Sequence, residues 1–127
     1  FSAAISLEPD SAVAHNNRGV AWRRKGELAR ALADFTQSIS LDSDYWVALN
    51  NRAKTHTQLG QLEEAITDFS LAITLRPELS EAFVGRAQAH ELAGRPTQAL
   101  ADYRHASDLQ PSDPSLIAAV LCLRTYK

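Results

Sequence analysis

The stretch ALNNRAKTHTQLGQLEEAITDFSLAITLRP, residues 48–77, decides how this chain is read. Its first part carries Leu49, Ala53 and His56 at helical spacing. Gly60 and Gln61 break the pattern. A second helical pattern follows, with Leu62, Ala65, Ile66, Phe69, Ala72 and Ile73 on one broad apolar face. A glycine turn this short makes the two helices antiparallel. A lone pair of this kind cannot bury its apolar face, so it needs neighbours of the same shape.

The chain supplies those neighbours. Gly26, Gly60 and Gly94 stand 34 residues apart, as do Ala31, Ala65 and Ala99, and the aromatics Phe35, Phe69 and Tyr103. Leu41, Leu75 and Leu109 keep the step, and Pro77 and Pro111 share one register. Polar positions keep it too: Arg18, Arg52 and Arg86, then Asp34, Asp68 and Asp102. Phe1, Ala4, Ile5 and Leu7 repeat the phase of Phe35, Ser38, Ile39 and Leu41, so the sequence opens inside the second helix of an earlier repeat. The expected organisation is a single domain, 1–127. It holds full repeats 12–45, 46–79 and 80–113, a partial repeat 1–11, and a partial repeat or terminal helix 114–127. Ala12–Lys25 and Leu28–Leu41 are the helices expected in the first full repeat. Asp113 is the expected N-cap of the last helix, with Pro114 just inside it. Gly26, Gly60 and Gly94 let each first helix stop and turn. Gly19, Ala53 and Ala87 mark a close helix–helix approach, and Pro96 sits early in its helix, where a missing N–H costs little. Stacked pairs of this kind curve, with the first helices on the concave side and the second helices outward.

Bulk properties narrow the function. With 13 Lys+Arg against 15 Asp+Glu, the formal net charge is -2, which lacks the basic footprint of nucleic-acid binding. A single cysteine, Cys122, forms neither an internal disulfide nor a cysteine metal cluster. No apolar run is long enough to span a bilayer, and the first residues lack the features of a signal peptide. The chain lacks an initiator Met and is expected to be a piece or processed form of something longer, so localisation is weakly constrained, the cytoplasm being favoured. His15, His56, His90 and His105 show no metal-site spacing, and the glycines are singletons in turns rather than a phosphate loop. No cofactor and no catalysis are expected.

The segments Ala-Leu-Asn-Asn-Arg-Ala (48–53), Leu-Gly-Gln-Leu-Glu-Glu-Ala-Ile (59–66) and Asp-Phe-Ser-Leu-Ala-Ile-Thr-Leu-Arg-Pro (68–77) resemble the tetratricopeptide repeat family, and the resemblance covers essentially the whole chain. It implies an all-α solenoid of stacked antiparallel helix pairs, a right-handed superhelix with a concave peptide-binding groove, and a non-catalytic adaptor role. The family often has Leu where this chain has Arg18, Arg52 and Arg86. Each Arg precedes an Asp by 16 residues, so partly buried Arg18–Asp34, Arg52–Asp68 and Arg86–Asp102 bridges are expected. The alternative is an arginine ladder for an acidic ligand.

The inward face is drawn from Val13, Asn16, Asn17, Val20 and Arg23, then Val47, Asn50, Asn51, Lys54 and Thr57, then Glu81, Val84, Gly85, Gln88 and Glu91. Asparagine is a mediocre helix former, yet Asn16/Asn17 and Asn50/Asn51 recur in phase. Carboxamides that donate to and accept from a peptide backbone explain this, and solvated or locally bonded residues are the alternative. The candidate peptide-binding residues are Asn16, Asn17, Arg23, Asn50, Asn51, Lys54, Val84 and Gln88. Arg23, Arg24 and Lys25 form either a binding patch or a solvated helix end favoured by the dipole. Some family members grip a chaperone's C-terminal carboxylate with Lys and Asn on one first helix, Asn on the next, and Lys and Arg on the third. Here those places hold Asn16, Val20, Asn51, Glu81 and Gly85, and Asn51 alone fits. The partner is thus expected to be a protein or peptide, with no nucleic acid and no membrane insertion. The alternative is a self-assembly module, a homo-oligomer joined through apolar terminal helices that carry Phe1, Ile5 and Leu7 at one end and Ile117, Val120, Leu121 and Leu123 at the other.

Overall fold

The computed structural model describes residues 11–110 and 114–123. Seven α-helices make up the described chain: α1 (Ala12–Arg24), α2 (Leu28–Leu41), α3 (Trp46–Gln58), α4 (Leu62–Leu75), α5 (Ser80–Leu92), α6 (Pro96–Leu109) and α7 (Pro114–Leu123). They form an all-α solenoid of helix pairs. The proposed N-terminal remnant, Asp113 as a cap, and the side chains of Cys122 and Leu123 lie outside the described residues.

Local chemistry sets the helix ends. Ser11 starts α1, its hydroxyl accepting from the Ala14 N–H at 3.1 Å. Each first helix ends in the same way. Gly26, Gly60 and Gly94 adopt φ of 81°, 78° and 78°, the left-handed region in which a Cβ is strained. The residue after each glycine folds back on the helix: Glu27 N donates to Trp22 O, Gln61 N to His56 O and Arg95 N to His90 O, at 2.9, 2.8 and 2.8 Å. These bonds satisfy carbonyls that the helix end would otherwise leave open. Pro96 sits in the first turn of α6, where its absent N–H has no helical acceptor to miss.

Packing repeats with the period. Ala31, Ala65 and Ala99 are fully buried, and Phe35, Phe69 and Tyr103 fill the centre of each pair. Gly19 lies against Phe35: a Cβ there would fall 2.7 Å from the ring's Cε1. Ala53 and Ala87 occupy that position in the next two repeats and are fully buried. The Phe69 ring instead presses forward onto the next repeat, where a Cβ on Gly85 would fall 2.3 Å from Cζ. Phe69 is thus a core residue of its own repeat and part of the surface of the next.

Each second helix packs on the first helix of its own repeat and on that of the following one. First helices of successive repeats also touch, α1 with α3 and α3 with α5, whereas α2, α4 and α6 make no such contact with one another. The stack is therefore tighter along α1, α3 and α5, which places those helices on the inner side of its curve.

Candidate functional site

The arginine–aspartate pairs are bidentate. Arg18 donates Nε and Nη2 to Asp34 at 2.8 and 2.7 Å, Arg52 to Asp68 at 2.8 and 2.9 Å, and Arg86 to Asp102 at 2.8 and 2.7 Å. The three carboxylates are buried while the guanidiniums are partly exposed. Burial makes the pairing obligatory, since an isolated carboxylate in such a place is costly. Arg52 and Arg86 reach further, donating Nη1 to Thr36 and Ser70 of the preceding repeat at 3.3 and 3.1 Å. Each of these two arginines thereby ties three helices together. The hydrogen bond to Asp34 raises the Arg18 guanidinium above its ordinary pKa. Histidines stand beside the same carboxylates: His15 Nδ1 is 3.5 Å from Asp34, and His56 and His90 Nε2 are 3.8 and 3.9 Å from Asp68 and Asp102. Burial pushes His90 below its usual range; Asp102 opposes the shift, and Arg86 and Arg95 add to it. With their fork N–H groups on aspartate, the arginines do not form an open ladder.

The asparagines require a correction. Asn16 and Asn50 are each only 3% exposed, so they do not line an open groove. The inward-facing positions of a first helix are also where the next first helix arrives, and three of the four amides are engaged there. Asn51 Nδ2 donates to Asn16 Oδ1 at 3.0 Å, linking α3 to α1. Asn50 Nδ2 donates to Glu81 Oε1 at 3.1 Å, linking α3 to α5. Asn17 and Asn51 are half-buried.

A concave pocket of about 590 Å³ opens on the inner side between the three first helices. It brings together four expected residues, Arg23 of α1, Lys54 of α3, and Val84 and Gln88 of α5, whereas the asparagines do not line it. Thr57, Glu81 and Gly85 of the inward face complete the wall. Phe69, Gln58, Ser80 and Gln110 also line it, and sequence reasoning missed them. The signal for Phe69 was available: Gly85 stands where Asn17 and Asn51 stand in the earlier repeats, and the missing side chain lets the ring pack against the backbone of the pocket wall.

Charge in the pocket is unevenly matched. Lys54 Nζ forms a close ion pair with Glu81, which also accepts from Asn50. Burial pushes the Glu81 carboxyl up, but Lys54, Asn50 and Arg23 together hold it below its ordinary pKa. Arg23 is different: its Nη1 is buried without a hydrogen-bond partner. Burial, and the nearby Arg24, lower the Arg23 pKa, while Glu81 opposes the shift. The basic cluster of the sequence therefore divides, for Arg24 and Lys25 are exposed at the helix end. Lys25 and Arg30 sit over the Trp22 ring at 5.7 and 4.8 Å. Glu91, expected on the inward face, instead accepts the Tyr103 hydroxyl at 2.5 Å. Among the described residues no group of three His, Cys, Asp or Glu is arranged to hold a metal ion, and no helix is long and apolar enough to cross a membrane.

Models of the tetratricopeptide repeat match residues 12–45 and 46–79. The structure is similar to the TPR domain of Arabidopsis OM64, with a TM-score of 0.86 and 25% identity, over 91% of this chain and 96% of that one. It is similar to the second TPR domain of human RPAP3 in complex with the HSP70 peptide SGPTIEEVD, with a TM-score of 0.84 and 25% identity over 90% and 95% of the two chains. The first TPR of Spaghetti (RPAP3), bound to the HSP90 peptide SRMEEVD, shares the fold with a TM-score of 0.86 at 21% identity, over 90% of each chain. No curated protein matches the sequence.

Proposed function

The chain belongs to the tetratricopeptide repeat family, and from that premise we propose that it is a non-catalytic interaction module whose concave face binds a segment of another protein. The observation that carries the proposal is the pocket whose wall draws on α1, α3 and α5, one first helix from each of three successive repeats. Such a wall reads several residues of an extended segment at once. It is held by inter-repeat contacts that exist before any ligand arrives, which reduces the ordering cost of binding. Arg23, Lys54, Val84 and Gln88 are the proposed contacts, with Thr57, Gly85 and the Phe69 ring beside them. Asn17 and Asn51 flank this surface, while Asn16 and Asn50 serve the stack.

Two of the similar structures hold chaperone peptides ending in EEVD. The same ligand is not proposed here. Glu81 and Gly85 stand where the family's carboxylate-gripping members carry Lys and Arg, and Asn51 is bonded to Asn16. Of the residues expected to drive self-assembly through the terminal helices, Ile117 and Leu121 of α7 are exposed among the described residues, and the comparisons give that reading no support.

The test is selection of binders from a random-peptide display library against the chain, followed by equilibrium titration. Gln88→Trp, at an exposed position on the pocket wall, is expected to weaken the selected peptides by about tenfold or more. Leu71→Gln, on the exposed side of α4, is expected to leave affinity unchanged. Equal affinity of both variants and the parent places the binding surface elsewhere.

A further inference from the structure

The pocket carries two cations, Arg23 and Lys54, and one carboxylate, Glu81, so one positive charge is left over. The leftover charge is not diffuse. Lys54 and Asn50 both bond Glu81, which satisfies that carboxylate and occupies the ammonium. Arg23 has no such commitment, and its Nη1 is buried without an acceptor. A buried donor left open is unfavourable and gains most from a charged acceptor. On the same wall, Val84 is a partly exposed apolar surface, backed by the buried Phe69 ring that packs against Gly85.

Resting on the groove reading above, we infer that the pocket selects a partner segment carrying an acidic side chain, whose carboxylate accepts from Arg23 while an adjacent small apolar residue covers Val84. The acid belongs to an internal residue of the segment. One uncompensated cation matches one carboxylate, whereas an acidic C-terminal residue brings two, and the second meets Glu81 as a like charge. Arg23 is therefore a specificity residue, and the Lys54–Glu81 pair fixes the polarity of the site.

The test uses peptides drawn from the display library, synthesised with amidated C-termini, and titrated against the full 127-residue chain. The selected set is expected to share an acidic position, and its conversion to the amide is expected to weaken binding about tenfold or more. Arg23→Gln should abolish that difference, while Arg24→Gln, at the neighbouring exposed position, should preserve it. Glu81→Gln removes the competing negative charge and should tighten the acidic peptide, a gain that a misfolded variant does not produce. Circular dichroism checks the helicity of each variant. Binders with no shared acid, or an acid preference that survives Arg23→Gln, overturn the inference and leave the groove reading standing. Affinity lost on amidation of the C-terminus overturns the internal-residue assignment. A library that yields no binder overturns the groove reading and the inference with it.

Discussion

Replacing Arg52 by Met separates what the repeated ion pairs do from what mere packing does. Met keeps most of the aliphatic stem and removes the guanidinium. Three hydrogen bonds disappear, two to Asp68 and one to Thr36, and α3 loses its polar tie to α4 and α2. The Asp68 side chain, 5% exposed, is left with the His56 ring at 3.8 Å as its nearest basic group. Breaking a buried pair costs about 3–5 kcal/mol. Arg52 is 22% exposed, so water already screens part of the interaction, and the lower end, about 3 kcal/mol, is expected. An unfolding entropy of roughly 2.1 cal/mol/K per residue over 127 residues gives about 0.27 kcal/mol per degree, so the melting temperature should fall by about 11 °C. Asp68→Asn keeps an acceptor and lets the guanidinium turn toward water, and should cost about half as much. The double variant Arg52→Met/Asp68→Leu removes both charges and should be more stable than Arg52→Met alone. Thermal melts followed by circular dichroism, with urea titrations at 25 °C, read all four proteins. A single variant melting within about 2 °C of the parent, or a double variant no more stable than Arg52→Met alone, refutes the reasoning.

Other perturbations test other parts of the account. Gly85→Ala places a Cβ 2.3 Å from the Phe69 ring, and the overpacking should outweigh the gain in helix propensity, lowering stability by about 1 kcal/mol in urea titration. Gly60→Ala meets open space but must adopt φ of 78°, so it should also cost about 1 kcal/mol, with no effect on peptide binding. Phe69→Ala removes a side chain only 1% exposed and should cost about 3–5 kcal/mol, loosening two repeats together. His90 has a depressed folded pKa, so the unfolded chain takes up its proton first as pH falls. Its contribution is full above the ordinary histidine value near 6.5 and is lost as pH drops through the lower folded value. The stability difference between pH 7.5 and pH 5 should therefore be smaller in His90→Gln than in the parent, measured by urea titration at both pH values.

Much of the fold is legible in the sequence because one physical unit is written three times. Gly26, Gly60 and Gly94 each need the left-handed region, and Arg18, Arg52 and Arg86 each need an aspartate 16 residues on. Periodicity exposes such requirements. The pocket is harder to read because its features break the period. Lys54 meets Glu81 across a repeat boundary, and neither residue recurs at its repeat position: Val20 and Gln88 stand in the place of Lys54, and Val47 in that of Glu81. Gly85 interrupts an Asn17, Asn51 series, and this break lets the Phe69 ring pack beneath the pocket wall. The asparagines misled for the opposite reason. They do recur, but the recurrence of Asn16 and Asn50 reflects burial between first helices rather than ligand contact. Arg23 is a similar case, for a run of Arg23, Arg24 and Lys25 looks uniform until burial singles out one member.

The most direct test of the central claim, that the inner face formed by α1, α3 and α5 takes a protein segment, is an amide chemical-shift map of the isotopically labelled chain titrated with a library-selected peptide. The account predicts that the largest shifts cluster at Lys54, Thr57, Val84, Gly85 and Gln88, with the C-terminal turn of α1 at Arg23, and that the outer surfaces of α2, α4 and α6 stay still. Saturable shifts confined to those outer helices, or to α7 alone, contradict it.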